Sequence, residues 1–382
     1  MAENGDGNTA KRKTVKEKVI AEFADDRKGL SGLDAFLTDL TVDRFVAANA
    51  WQNEQQVDGA AKQLAETWRW RVESQPRWIC CHLCIENPMS HSMRAIGYDT
   101  LGRLVFYSCF ATSPFRDSRS NINHLQRCME DAQVVLDRNP SGPGKWVFFM
   151  DFYGFAISDA SPSTASNAIW LLQHYPERLG LCVIYDAGAI FDSLWAVIKP
   201  MLNDVTAQKV CFASSLEDGD TLDSTLLNLG APVLDWLRLE TAENRTPFAE
   251  TKRYWEPSGG SVDETRPPHD PRGTKAFVES ETYGDFLSYG DGAGADTVPV
   301  VDFKVDRLFN GKLGVRLKNI TVSGLDVPEA GDFWNVGDEV LEINGVPIGD
   351  ATDFRREIVE AIKALPFTVK VFRHGERTDG EA

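Results

Sequence analysis

Nowhere among the 382 residues does an apolar run approach the roughly 18 that a membrane-crossing helix needs. Positive charge is in short supply too. Forty Lys and Arg stand against 57 Asp and Glu, a formal net charge of −17. A nucleic-acid backbone wants a basic footprint, so no nucleic-acid partner is expected. Tight electrostatic attachment to anionic bilayers is excluded on the same ground. Any membrane visit rests on apolar contact or on the small cluster Lys11-Arg12-Lys13. Only six histidines are present, and they are scattered. There is no Gly-x-Ser-x-Gly elbow, no Gly-Lys-Ser/Thr loop and no His-Glu-x-x-His. No catalytic residue, no enzyme activity and no cofactor are therefore expected. The N-terminal stretch MAENGDGNTAKRK has no apolar core, so a secretory signal is not expected. The seven cysteines then read as reduced thiols of a cytoplasmic protein.

Two local patterns invite chemistry that their surroundings do not support. Cys80-Cys81-His82-Leu83-Cys84 suggests zinc, which takes four ligands in two spaced pairs. No second Cys/His pair follows at finger spacing, and the next cysteines are Cys109 and Cys128. No metal is expected, and the stretch reads as a junction with buried thiols. Gly290-Asp291-Gly292-Ala293-Gly294 lacks the strand before and the helix after that a phosphate loop requires.

What remains is ordinary globular material, 42% hydrophobic and 25% charged, long enough for two or three domains. The most informative stretch runs from His174 to Phe212. Pro176 and Gly180 bracket a turn, and Leu181-Cys182-Val183-Ile184-Tyr185 suits a strand buried on both faces. After Asp186-Ala187-Gly188 the apolar period becomes helical, with Ile190, Leu194 and Ile198 on one stripe and Phe191 and Trp195 beside them. Lys209-Val210-Cys211-Phe212-Ala213 is a second strand, which makes a βαβ unit with a right-handed crossover. Upstream, Leu104–Tyr107 and Trp146–Phe155 read as strands. Val57–Val72, His124–Leu136 and Ser163–His174 read as helices. The sum is an α/β sandwich behind a helical N-terminal lobe.

Tyr175-Pro176-Glu177-Arg178, Phe191 with Trp195, Lys199-Pro200 and Thr206-Ala207-Gln208-Lys209 together resemble the signature of the CRAL-TRIO lipid-binding family. Asp99-Thr100-Leu101-Gly102-Arg103 and Glu130 fit that resemblance, as do Arg44-Phe45 and the helix through Ala60, Leu64 and Trp68. The resemblance implies one lipid or other hydrophobic small molecule held in an apolar cavity, with helix Ile190–Met201 as a movable gate. It assigns Phe106, Phe149, Tyr153, Phe155, Ile184, Phe191, Trp195 and Ile198 to a single ligand pocket, with Glu177 and Lys209 at the headgroup. The chain departs from the pattern at Asn49 and Ala50, where phosphoinositide-holding members carry a basic pair. The Leu-Pro…Gly-Gly ending is absent as well, and Arg238-Leu239-Glu240 through Asn244-Arg245 stands there instead.

Beyond residue 298 the pattern changes to short strands. Val300–Val305, Lys312–Leu317, Gly337–Val346 with its Asn344-Gly345 turn, and Phe367–Phe372 alternate as strands; Thr352–Leu365 is an amphipathic helix. This resembles a PDZ domain. Lys312, Leu313, Gly314 and Val315 stand where that family binds a C-terminal carboxylate, and Phe354 lies near the helix start that contacts the peptide. A glycine there lets successive backbone N–H groups converge on an anion. The implied partner is the C-terminal peptide of another protein.

The expected division is a disordered tail over 1–13, a helical lobe over 14–84, a CRAL-TRIO domain over 85–250, a linker over 251–298 and a small β-rich domain over 299–376. The expected function is lipid binding or transfer in the cytoplasm, with peripheral, transient membrane contact and partner docking. The alternative is an adaptor whose CRAL-TRIO domain is a protein-docking platform without lipid.

Overall fold

The computed structural model describes residues 3–74, 76, 79, 81, 83–84, 87–214, 216, 226, 228–247, 269–286, 300–349 and 351–373. They form two compact units, one built on a five-stranded sheet and the other on a six-stranded sheet.

The first unit begins with a helical lobe of α1 (Glu3–Glu22), α2 (Asp39–Ala48) and α3 (Gln56–Ser74). Helix α1 starts inside the stretch expected as a tail. Its Val15 and Val19, with Phe23 just past its end, recur on one side and pack with Val42, Phe45 and Leu64 in one apolar cluster. Thr38 caps α2, its hydroxyl accepting from the Thr41 N–H at 3.1 Å.

The sheet follows with β1 (Arg94–Tyr98), β2 (Leu104–Cys109), β3 (Trp146–Asp151), β4 (Leu179–Tyr185) and β5 (Val210–Ala213) in that order, β1 antiparallel and the rest parallel. The intervening helices are α4 (Ser118–Asp137), α5 (Pro162–Leu172) and α6 (Ala189–Ile198), and α7 (Gly230–Glu243) follows β5. Strands β2 and β3 are buried on both faces, which is why they read as unbroken apolar runs. Successive side chains nonetheless go to opposite faces. Tyr107, Phe149 and Val183 meet Trp236 and Leu237 of α7 on one face; Phe106, Trp146 and Phe148 meet Met129 of α4 and Leu171 of α5 on the other.

Part of the stretch expected as a linker belongs to this unit. Thr274 N–H donates to the Ile96 carbonyl at 2.7 Å, and Phe277 and Tyr283 are buried beside Phe106. Gly273, at φ +152°, lies so close to Ile96 that an added Cβ would sit 2.7 Å from its carbonyl oxygen. The glycine-rich run 290–294 lies outside the described residues.

In the second unit β6 (Val300–Val305), β7 (Val315–Lys318), β8 (Thr321–Leu325), β9 (Glu339–Ile343) and β11 (Phe367–Phe372) run in the order β6-β11-β9-β8-β7; β10 (Val346–Pro347) pairs with β9. Asn344 and Gly345 take φ of 50° and 77°, as a two-residue hairpin turn demands. Helix α8 (Ala351–Ala361) lays Phe354 and Ala361 on a core that includes Trp334, Val340 and Phe367.

His174, at the end of the α5 segment, offers a test of this packing. Its ring stacks on Trp70 at 4.2 Å, and its Nδ1 lies 3.0 Å from the Thr67 hydroxyl. Burial, helped by the Arg71 charge, pulls the imidazole down from 6.5 to about 4. The folded state therefore binds fewer protons than the unfolded chain between those values, and stability is lost as pH falls from 6.5 towards 4. His174→Phe keeps a ring in the stack and removes the proton site. Denaturant midpoints measured from pH 7 to pH 4 should fall less steeply in that variant than in the parent; coincident slopes would refute the assignment.

Candidate functional site

The parallel strands end at one edge of the first sheet, the edge where open α/β sheets place their ligands. Strand β4 ends at Tyr185, the next residue Asp186 takes a positive φ of 54°, and Gly188 starts α6 with no side-chain cap. Helix α6 turns Phe191 inward, with Leu194, Trp195 and Ile198 half-buried on the same side. Phe191 meets Phe152 at 4.3 Å, and Phe152 meets Phe110 and Phe155 at 5.1 and 5.0 Å. Ile184, Met150, Cys182 and Val210 form the floor of this aromatic cluster. Pro200 ends the regular helix, and Lys199–Met201 finishes as a 3-10 turn. An exposed apolar strip runs along the helix and into the turn after it, beside the exposed Asp192 and Ser193: Ile190, Val197 and Met201 are 36%, 47% and 44% exposed.

The structure brings together Phe155, Ile184, Phe191 and Trp195 of the residues assigned to one pocket. Ile198 lies on the same side of α6, but Phe149, Phe106 and Tyr153 are not brought in. Phe149 lies on the opposite face of the sheet with Tyr107, since it is one residue out of phase with Phe148. Phe106 shares the correct face but packs among Trp146, Phe148 and Phe277. Tyr153 is exposed and lies under the Arg245 guanidinium, 4.6 Å from its ring centre.

Glu177 and Lys209 do meet, at 3.9 Å, and Lys145 joins them 3.8 Å from the same carboxylate oxygen. Glu177 sits at φ 59° in the turn before β4. Burial pushes the Lys209 ammonium down against the pull of Glu177. In the second unit, Lys312 sits in a tight turn whose N–H donates to the Phe309 carbonyl at 3.0 Å, and Gly314 follows at φ +78°. Leu313 and Val315 are half-buried against the core, Phe354 is buried within it, and β7 ends the strand order.

A buried polar network had no signal in the sequence beyond single charged residues among apolar ones. Asp151, fully buried at the end of β3, accepts from the Tyr107 hydroxyl and from both ends of the Arg245 guanidinium, each at 3.0 Å. Arg245 also reaches Asp186 at 2.7 Å, so one side chain ties β3 to the start of α6. Asn244 donates to the Tyr107 hydroxyl at 2.8 Å and to Glu240 at 3.3 Å. Glu240 in turn holds Arg94 at 2.8 Å and His269 at 2.7 Å. Burial, with Cys109 and Asp151 adjacent, drives the Tyr107 phenol far above its usual range. These residues stand where the family ending was missing.

Residues 90–227 match the CRAL/TRIO domain family. The chain carries a CRAL/TRIO domain. The phosphatidylinositol transfer protein PDR17 of Saccharomyces cerevisiae is 26% identical over 191 residues, 46% of this chain and 52% of that protein. A CRAL-TRIO domain-containing protein of Schizosaccharomyces pombe is 27% identical over 203 residues, 50% of this chain and 44% of that protein. The chain thus spans about half the length of the curated relatives it matches. A solved structure titled "Crystal structure of Sfh5" covers 54% of this chain and 80% of its own, at 14% identity and a TM-score of 0.40.

Among the described residues of the first unit, one group of side chains has a donor set a metal could use. Glu240, Glu243 and His269 converge, but the Arg94 cation already occupies Glu240. Cys80 and His82 lie outside the described residues.

Arg245 has a role the structure makes measurable. Arg245→Ala strands the buried Asp151 carboxylate and should cost roughly 2–4 kcal/mol of stability. Asp186→Asn breaks only a half-exposed ion pair and should cost about 1 kcal/mol or less. Urea unfolding of the two variants checks the order; equal losses would show that Asp151 does not depend on Arg245.

Proposed function

We propose that this chain binds and transfers one lipid or similarly hydrophobic molecule, with α6 as the cover of the site. The observation that carries the reading is α6 itself. Besides the side laid on the aromatic cluster, α6 and the turn after it leave Ile190, Val197 and Met201 exposed, next to Asp192 and Ser193. An exposed apolar strip of that kind suits contact with lipid. The rings of Phe152, Phe155, Phe191 and Trp195 fill the space beneath the helix. An acyl chain would replace their contacts with α6 as the helix swings out about Asp186-Ala187-Gly188. The name of the yeast relative, a phosphatidylinositol transfer protein, supports the class of ligand.

The headgroup follows from the charges. Asn49, in place of a cation, is buried; its amide donates to the Phe45 carbonyl at 2.9 Å and to Gln63 at 2.8 Å, and its oxygen accepts from Gln52 at 2.6 Å. Those bonds brace the lobe and leave it unavailable to a phosphate. Near Glu177 the two lysines offer a modest cationic site for a single charge. Phosphoinositides with added phosphates should bind poorly, since a charge leaving water without partners costs several kcal/mol by rough count.

Lipid extraction and mass spectrometry of the purified protein tests the reading, with one co-purified lipid per chain expected. A lipid-free protein that takes up no lipid from vesicles leaves the adaptor alternative. Val197→Glu with Met201→Glu should leave loading intact and slow transfer between vesicles by at least about tenfold, because only the outer side changes.

For the second unit we propose capture of a C-terminal peptide along the β7 edge, as in a PDZ-like domain. The support is the edge position of β7, the positive φ of Gly314 beside it and the helix α8 on the same core. A substitution at Gly314 is a poor test, because any Cβ would lie 2.7 Å from the Phe309 ring. Lys312 is exposed in the preceding turn. Lys312→Glu should weaken binding to peptides selected from a C-terminal display library by at least about tenfold, or about 1.4 kcal/mol. A library that yields no binder refutes the proposal.

A further inference from the structure

The chain carries a net charge of −17, yet the run from Arg307 to Leu325 holds four Lys and Arg and no Asp or Glu. Three of those cations, Lys312, Arg316 and Lys318, lie on β7 or in the turn that leads into it, and all three are exposed. Among the described residues no strand pairs with the outer edge of β7.

The pairing with β8 fixes what that edge offers. The Asp326 N–H donates to the Gly314 carbonyl at 2.7 Å, and the Ser323 hydroxyl donates to the Arg316 carbonyl at 3.1 Å. Both carbonyls therefore point at β8, with Val315 opposite Leu325 between them. Backbone groups alternate sides along a strand, so the N–H and C=O of Val315 and Leu317 point outward. Side chains alternate between the two faces. Leu313, Val315 and Leu317 are half-buried against the core, whereas Arg316 and Lys318 stand on the opposite face.

An added strand inherits both alternations. A peptide whose terminal carboxylate sits at the Leu313-Gly314 turn runs antiparallel to β7, and residues opposite one another share a face. Its last and third-from-last side chains then lie on the apolar face with Val315 and Leu317. Its second- and fourth-from-last lie on the face of Arg316 and Lys318. The Arg316 guanidinium leans over Gly324 to Asp326, at 3.2 Å. Both partners are exposed, 67% and 49%, and such a pair is weak, so a peptide carboxylate can exchange for Asp326. A second copy of the chain would set like charges against one another across two β7 edges, which is unfavourable.

We propose that the β7 edge selects C-terminal peptides with Asp or Glu second and fourth from the end and an apolar last residue. The preference rests on the peptide-capture reading of the second unit and adds the chemistry of the partner.

Random C-terminal peptides displayed against the full-length chain should yield binders enriched in Asp or Glu at those two positions. A synthetic binder should lose at least about tenfold in affinity when both acids become amides, and the loss should shrink as salt rises from about 50 to about 500 mM. Arg316→Glu should reverse the preference, favouring Lys over Glu at the two positions. The peptide exchange needs no variant and decides alone should that one fail to fold. Binders without acidic enrichment, indifferent to the exchange, overturn the charge preference and leave peptide capture standing. A library without any binder overturns both. An amidated peptide that binds as well as the free acid places an internal acidic strand on the edge, and a dimer displaced by peptide places a second copy there; either overturns the proposal.

Discussion

The first unit depends on one buried carboxylate. Glu130 of α4 accepts two bonds from Arg71 of α3, at 2.9 and 2.8 Å, and one from the Tyr175 hydroxyl at 2.5 Å. Burial, with Glu130 beside it, drives that phenol well above its usual range and so keeps it protonated as a donor. A carboxylate in this place without partners would cost several kcal/mol by rough count, so lobe, helix and turn must assemble together. Tyr175 opens the turn that also carries Arg178. Arg178 reaches Asp137 at 2.6 Å and the Gly144 carbonyl at 3.0 Å, while its own carbonyl takes the Trp146 N–H at 2.8 Å. Strands β3 and β4 therefore start side by side, Trp146 opposite Leu179, with a one-residue irregularity before Val147 pairs with Leu181.

The opposite ends of the same strands are held by Asp151 and Arg245. Between these two clamps the sheet has little freedom, and its two faces are filled by large side chains. Helix α6 is in a different position. It has an uncapped start, a Pro-terminated end and an inner contact made of aromatic rings rather than hydrogen bonds. Dispersion and hydrophobic contact are non-directional, so a lipid chain can replace them without leaving polar groups unpaired. Rigidity in the sheet and replaceable contact under one helix are the physical basis for the proposed function.

Much of the fold was legible because it is carried by local pattern. The runs at Leu104, Trp146 and Leu181 became strands, the apolar periods through Leu64, Met129 and Phe191 became helices, and Asn344-Gly345 made its hairpin. An unbroken apolar run hides which of its side chains share a face: Phe149 and Phe106 lie on opposite faces of the sheet, because a strand alternates its sides. The stretch around Phe277 looked like linker because its composition is polar and Gly/Pro-rich. Two aromatic residues and one backbone bond to Ile96 suffice to dock it.

By itself the sequence determined the order and type of the elements, the α/β and β-rich character of the two units, and the aromatic helix after β4. All of these follow from side-chain period, turn residues and a contiguous motif, and need no knowledge of what lies across the core. The tertiary structure alone decided which charges meet. Asp151 with Arg245 and Glu130 with Arg71 are pairs far apart in the chain, and nothing in local spacing links them. They come together because a buried charge or polar group needs a partner within about 3 Å, and only the folded topology says which side chain is there.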